Sequence, residues 1–309
     1  MSRQRRSSAI GVLGAVALAL AAVPSAHAIS FSPWTSAVNA ESVPGTSSQL
    51  NTTALDGCPI QSPDGLSLYI ASTRPRQLND TRTDIDIWVA QRESTSDPWG
   101  APVNLGSTVN STADDFCPTP IRGKGLFFVS RRVVPGVSCG MGDIYFTRQS
   151  PAHDWLAPRH LRCQADGGPN SPLDEMGPSY FEAGGAQLYF SSGPDIYRSE
   201  REEDGRFGPA VAVTELNSGA ADIQPNVRKD GREVVFASNR NAAAGQDLWG
   251  STRDDVDDPW SSPENLGSAV NTAVNETRPS LSWDGTTLYF GRAPGPEGSS
   301  DIFVTTRSR

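Results

Sequence analysis

The sequence predicts an all-β chain folded as a ring of five similar units, and three observations carry that prediction. A nine-residue phrase recurs five times with fixed internal spacing. Each copy is followed by short apolar runs separated by Gly-containing turns. Turn formers are abundant, with 29 Gly and 24 Pro in 309 residues. Units of roughly 50 residues without helical periodicity point to repeated supersecondary structures that bury a core by packing side by side.

The phrase reads Asn, Ser or Thr, three free positions, Asp or Glu, two free positions, Pro. Its copies begin at Asn51, Asn110, Asn170, Asn217 and Asn271 and end at Pro59, Pro118, Pro178, Pro225 and Pro279. A first strand is expected to run on from each acidic residue. It meets a tight turn at Pro63-Asp64-Gly65, Gly123-Lys124-Gly125, Gly184-Gly185, Asp230-Gly231 or Asp284-Gly285. Asp-Gly between apolar runs is a strong hairpin signal, read here as a turn with both residues at positive φ. A second strand follows, as in Leu68-Tyr69-Ile70 and Leu288-Tyr289-Phe290. After a loop of variable length a third strand opens on Asp86-Ile87-Trp88, Asp143-Ile144-Tyr145, Asp195-Ile196-Tyr197, Asp247-Leu248-Trp249 or Asp301-Ile302-Phe303. A fourth starts at Trp99, Trp155, Phe207 or Trp260 and ends near Leu105, Leu161, Val213 or Leu266.

Four short antiparallel strands per unit describe the blade of a β-propeller. The fifth unit stops at Arg309 after three strands. Residues 34–39 (Trp-Thr-Ser-Ala-Val-Asn) align with Trp99–Asn104, so a strand within 31–39 is expected to complete blade five and close the ring. Closure by hydrogen bonds removes an open sheet edge at the seam.

The recurrent acid and Pro, the Asp-Gly turn, the Leu-Tyr-Phe strand with a following Arg, and Asp-Ile-Trp or Asp-Ile-Tyr together resemble the TolB-type, WD40-like β-propeller repeat. The resemblance covers residues 31–309. It implies an exported bacterial propeller that works as a non-enzymatic platform binding a protein, peptide or glycan. Two departures stand out. Blade three has Ser191-Ser192-Gly193 where other blades carry Arg, and no helical domain precedes the ring.

Residues 1–28 read as a signal peptide. Arg3, Arg5 and Arg6 precede an apolar run from Ala9 to Val23, and Ala26-His27-Ala28 forms an A-x-A cleavage site. The mature propeller is then expected to span 29–309, secreted or periplasmic, and to be a monomer. A net charge of −9 argues against nucleic acid and anionic membrane surfaces as partners. No later segment is apolar enough to insert in a bilayer. Cys58, Cys117, Cys139 and Cys163 suggest two disulfides, with three connectivities open; Cys58–Cys117 with Cys139–Cys163 is the expected one.

Topology puts Asp56, Asp115, Glu175, Asp222 and Glu276 around the mouth of the channel. The expectation is a structural role, since an acid ahead of an inner strand can accept backbone N–H groups or pair with Arg. The alternative is a glycoside hydrolase that draws a catalytic pair from these five, a pair standing about 5 Å apart in a retaining enzyme and wider in an inverting one. Arg74, Arg131, Arg240 and Arg292 leave the second strands toward the same face. They either pair with acids or line a carboxylate or sugar-acid site, and with Tyr180 they are the candidate binding residues. Long loops at 74–83, 131–142 and 292–300, against a very short one in blade three, predict a notch beside blade three flanked by Tyr180 and Phe181. His153 and His160 lie away from the channel, no G-x-S-x-G occurs, and the acidic pairs near Asp254–Asp258 lack a calcium-loop pattern. No cofactor and no metal are expected.

Overall fold

A computed structural model describes residues 31–309 apart from 78 and 242–244. The signal-peptide reading therefore lies outside the described residues. Strand β1 (Val38–Asn39) comes first. Blade one is β2 (Asp56–Gln61), β3 (Ser67–Ser72), β4 (Asp86–Gln91) and β5 (Val103–Asn104). Blade two is β6 (Asp115–Ile121), β7 (Gly125–Ser130), β8 (Asp143–Arg148) and β9 (Arg159–His160). Blade three is β10 (Glu175–Phe181), β11 (Gln187–Ser192), β12 (Asp195–Glu200) and β13 (Val211–Ala212). Blade four is β14 (Asp222–Val227), β15 (Glu233–Ser238), β16 (Asp247–Thr252) and β17 (Glu264–Asn265). Blade five is β18 (Asn275–Leu281), β19 (Thr287–Ala293) and β20 (Asp301–Thr306), with β1 as its fourth strand.

The ring closes as its sequence implies. Val38 pairs with Val304 and Asn39 with Phe303, antiparallel. Backbone bonds from Ser32 to Ser308 and from Thr35 to Thr306 extend the contact. The first described residues thus cover the edge that β20 would otherwise leave open.

Two local expectations need correction. The fourth strands are only two residues long. The aromatics that were to open them stand ahead of these pairs, where Trp155 and Phe207 make isolated antiparallel bridges to Gln149 and Arg201, and the rings reach into the neighbouring blade: Trp99 Nε1 donates to the Tyr289 hydroxyl at 3.0 Å, and Trp260 Nε1 to that of Tyr189 at 3.4 Å. These rings sit in cores shared between blades, with Leu68, Ile70, Ile302 and Val304 around Trp99. Large apolar side chains gain most when water is excluded on every side, roughly 1.5–3 kcal/mol each. The Asp-Gly turns also differ. Only the glycine is left-handed, Gly65 at φ 72° and Gly285 at 73°. The aspartate stays at negative φ because its carboxylate accepts hydrogen bonds from within the turn: Asp64 from the Ser62 hydroxyl at 2.5 Å and the Leu66 N–H at 3.0 Å.

Every inner strand carries a β-bulge. Pairing slips between Gly57 and Ile60, and at the matching place in the other four blades. The residue before each repeat proline is left-handed: Cys58, Cys117, Gly177, Gln224 and Arg278, with φ between 46° and 57°. A proline next to the bulge leaves no unused ladder donor, and the bulge turns the preceding residue toward the axis. The phrase that sets the repeat therefore also sets the lining of the channel.

Candidate functional site: a ring of joints beneath an unequal loop face

Each phrase builds one joint. Asn110 accepts the Ile87 N–H at 2.9 Å and donates back to the Ile87 carbonyl at 3.0 Å, so its amide imitates a strand against β4. Asn51 does the same to Ile302, Asn170 to Ile144, Asn217 to Ile196 and Asn271 to Leu248. Every asparagine therefore clamps the blade before its own. The next residue donates its N–H and hydroxyl to the acid four positions on; from Ser111 to Asp115 these bonds are 2.5 and 2.7 Å. The acid's own N–H then reaches back to the preceding blade, Asp115 to the Ile85 carbonyl at 2.7 Å.

The carboxylate oxygen that does not accept the Ser or Thr backbone N–H faces an arginine in four blades. Arg74 meets Asp56 at 2.5 Å, Arg132 meets Asp115 at 2.6 Å, Arg240 meets Asp222 at 2.5 Å and Arg292 meets Glu276 at 2.9 Å. The same guanidinium groups bond to Leu50, Val109, Leu216 and Val270 carbonyls, just ahead of the asparagines. All five ring acids have zero exposure. Arg74, Arg240 and Arg292 are thus built into joints. In blade two that role falls to Arg132. Arg131 points instead to Asp114 and Asp174, at 3.0 and 2.7 Å, and is half-exposed. The difference arises because in blades one, two and four the arginine stands two residues after the last strand serine, as in Ser72 to Arg74 and Ser130 to Arg132, while in blade five Arg292 itself takes the serine's place opposite Glu276.

Blade three lacks the arginine, and its place holds Pro194. Glu175 accepts from the Ser171 N–H and hydroxyl and from the Ser192 hydroxyl, all on one oxygen. The other oxygen, Oε2, is buried without a partner. Burial in this site, only partly offset by those bonds, pushes the Glu175 carboxyl up to about 7.

Tyr180 and Phe181 do not flank a notch on this face. They end β10, at the opposite side of the disc from Glu175, and are buried between blades. The Tyr180 hydroxyl donates to Glu182 at 3.0 Å. Its ring lines a cleft of about 300 Å³ between blades two and three with Phe127, Phe207 and Arg201. The notch region beside blade three has other walls. Val133 and Met141 of the long blade-two loop are 85% and 70% exposed, and Leu173 is 51% exposed. The Met141 N–H donates to the Leu173 carbonyl, while Leu173 reaches over Gly193 of the short loop. Cys139–Cys163 staples this loop, and Cys58–Cys117 joins blades one and two at the channel, as the cysteine positions suggested. Cys139, His160 and Cys163 have donor atoms within 4.8 Å of one another, but both sulfurs are held in the disulfide.

Sequence reasoning missed Arg132, Met141, Leu173 and the channel residues Gln224 and Arg278. For the last two a signal was present. The position before each repeat proline varies (Cys, Cys, Gly, Gln, Arg) while the residues around it hold steady.

No protein-family model matches the chain, and no curated protein matches it in sequence. Solved structures do resemble it in fold. A protein described as TolB from Agrobacterium tumefaciens is 18% identical, with 85% of this chain and 78% of that one covered and a TM-score of 0.46. A xylan β-1,4-xylosidase from Bacillus halodurans is 13% identical at TM-score 0.54; 84% of this chain matches 53% of it, so the present chain spans about half that enzyme's length. A GH43 endo-arabinanase from Bacillus licheniformis is 11% identical at TM-score 0.52, covering 82% and 94% of the two chains. At these identities the likeness is one of fold, a five-bladed propeller, which hosts unrelated activities. Two disulfides fit an oxidising extracellular or periplasmic setting, and among the described residues no helix is long and apolar enough to cross a membrane.

Proposed function

We propose that this protein is an exported, TolB-like binding platform whose loop face recognises a protein or peptide through the apolar surface beside blade three. One observation carries the reading: all five ring carboxylates have zero exposure and are hydrogen-bonded within their joints. A glycosidase working from this ring needs an accessible acid and an accessible base or nucleophile. Here four acids are neutralised by arginine, and the fifth is enclosed. Beside blade three the face offers solvent a group of apolar side chains: Val133, Val137, Met141 and Leu173 stand on or beside a disulfide-held loop. Exposed apolar side chains on a rigid scaffold mark interaction surfaces. Such a surface favours a protein or peptide over a glycan.

The test is a binding screen of the chain from Ile29 against secreted proteins, peptides and a glycan array. Protein or peptide ligands are expected, each weakened at least tenfold by the paired substitution Met141→Asp and Leu173→Asp with melting temperature unchanged. Glycan hydrolysis abolished by Asp115→Asn, or ligands indifferent to the paired substitution, would overturn the proposal.

A further inference from the structure

The channel holds a cation without a counterion. Arg278 occupies the bulge position of β18, so its side chain projects to the axis rather than into a blade. Its guanidinium lies against Gly57, where even a methyl group would come within 2.7 Å of one of its terminal nitrogens. The Arg278 Nε is buried with no hydrogen-bond partner, and no acid among the described residues pairs with it. The other arginines of this face have partners, namely Arg74, Arg76, Arg131, Arg132, Arg240 and Arg292. The charge that acts on Arg278 is that of Arg131, which is of the same sign. Burial and that repulsion bring the Arg278 guanidinium down to about 10, so at neutral pH it keeps its proton and its charge.

The surrounding groups point the same way. Arg278 lines a cavity of about 30 Å³ at the channel waist, whose walls contain no acidic side chain. Gln224 and Asn226 share that cavity. The Gln224 side-chain oxygen already accepts the backbone N–H of Arg278 at 3.1 Å, and the Asn226 side-chain oxygen accepts the backbone N–H of Leu281 at 2.9 Å. Those bonds set both amides with their NH₂ groups as the unused ends. A fixed positive charge and two amide donors therefore meet in a space that holds one or two water-sized groups. Water alone supplies dipoles to such a site, whereas an anion supplies the missing charge as well.

We propose that the channel waist is a binding site for a small monovalent anion, a halide or a carboxylate head group, held by Arg278 with Gln224 and Asn226. The site is separate from the apolar loop surface and does not depend on what binds there.

Thermal unfolding in sodium chloride and in sodium gluconate of equal ionic strength tests this directly, since gluconate is far too large for the cavity. The wild-type midpoint is expected to rise saturably with chloride, as mass action requires of a ligand bound only by the folded state. Arg278→Gln should lose the response and, in gluconate, melt above wild type, because a partly buried, unpaired charge is gone. Crystals soaked in bromide should show an anomalous peak within about 3.5 Å of the guanidinium; this arm needs no variant to fold. Formate in place of chloride separates the two sources: stabilisation by formate alone assigns the site to a carboxylate head, and by chloride to a free halide. Equal melting in all three salts, a chloride response that survives Arg278→Gln, or bromide found only elsewhere would refute the site.

Discussion

Replacing Glu175 by Gln is expected to stabilise this protein at alkaline pH and to leave it unchanged in acid. The Glu175 carboxyl titrates at about 7 in the fold against an ordinary value of 4.5, because Oε2 is buried with no partner and no arginine faces it. Below pH 4.5 the group is protonated in both the folded and the unfolded chain and adds no pH dependence. Between 4.5 and 7 the unfolded chain has released the proton and the folded chain keeps it, so stability falls as pH rises. Above 7 the loss is complete and constant. The interval corresponds to about 3.5 kcal/mol, taking about 1.4 kcal/mol per pH unit. Gln imitates the protonated acid: its oxygen takes the Ser171 and Ser192 bonds, and its NH₂, like the carboxyl O–H, finds no acceptor. Urea unfolding of both proteins, disulfides intact, measures the difference. The two curves should coincide below about pH 4 and separate by roughly 3 kcal/mol at pH 8, with Gln the more stable. A difference that does not vary with pH, or a Gln variant weaker at pH 8, refutes the account of Glu175 as a desolvated, unpaired acid.

Two further outcomes follow from the joints. Arg132→Ala strands the fully buried Asp115 and should cost about 3 kcal/mol, whereas Arg131→Ala removes a half-exposed pair and should cost about 1 kcal/mol or less; equal effects in urea unfolding would undo the assignment of Arg132 to the joint. The paired change Cys58→Ala and Cys117→Ala releases a link spanning 59 residues between adjacent blades and should lower stability by about 2–4 kcal/mol, read from the urea midpoint; no loss would mean that the blades hold this interface without it.

The repeat was legible because its parts act locally. Asn, Ser or Thr, acid and Pro stand at fixed spacing since the acid accepts from a residue four positions back and the bulge falls two positions on. The aligned segment before Asn39 announced ring closure for the same reason: it repeats what Asn104 does in blade one. Even blade three's missing arginine was visible as Ser191-Ser192-Gly193.

Other features required the third dimension. The choice of Arg132 over Arg131 depends on strand register, which a run of two arginines does not reveal. Tyr180 looked like a wall of the loop face but lies across the disc from it, because a strand carries its two ends to opposite surfaces. The phrase itself shows five acids able to meet at a channel mouth. Only tertiary structure decides whether each meets water or a guanidinium, since that depends on second strands and on neighbouring blades that the phrase does not contain. The same holds for the residue before each repeat proline. Its place in the chain follows from the phrase, but its meeting at the axis with four counterparts follows from closing the ring, which leaves Arg278 facing a cavity and no acid.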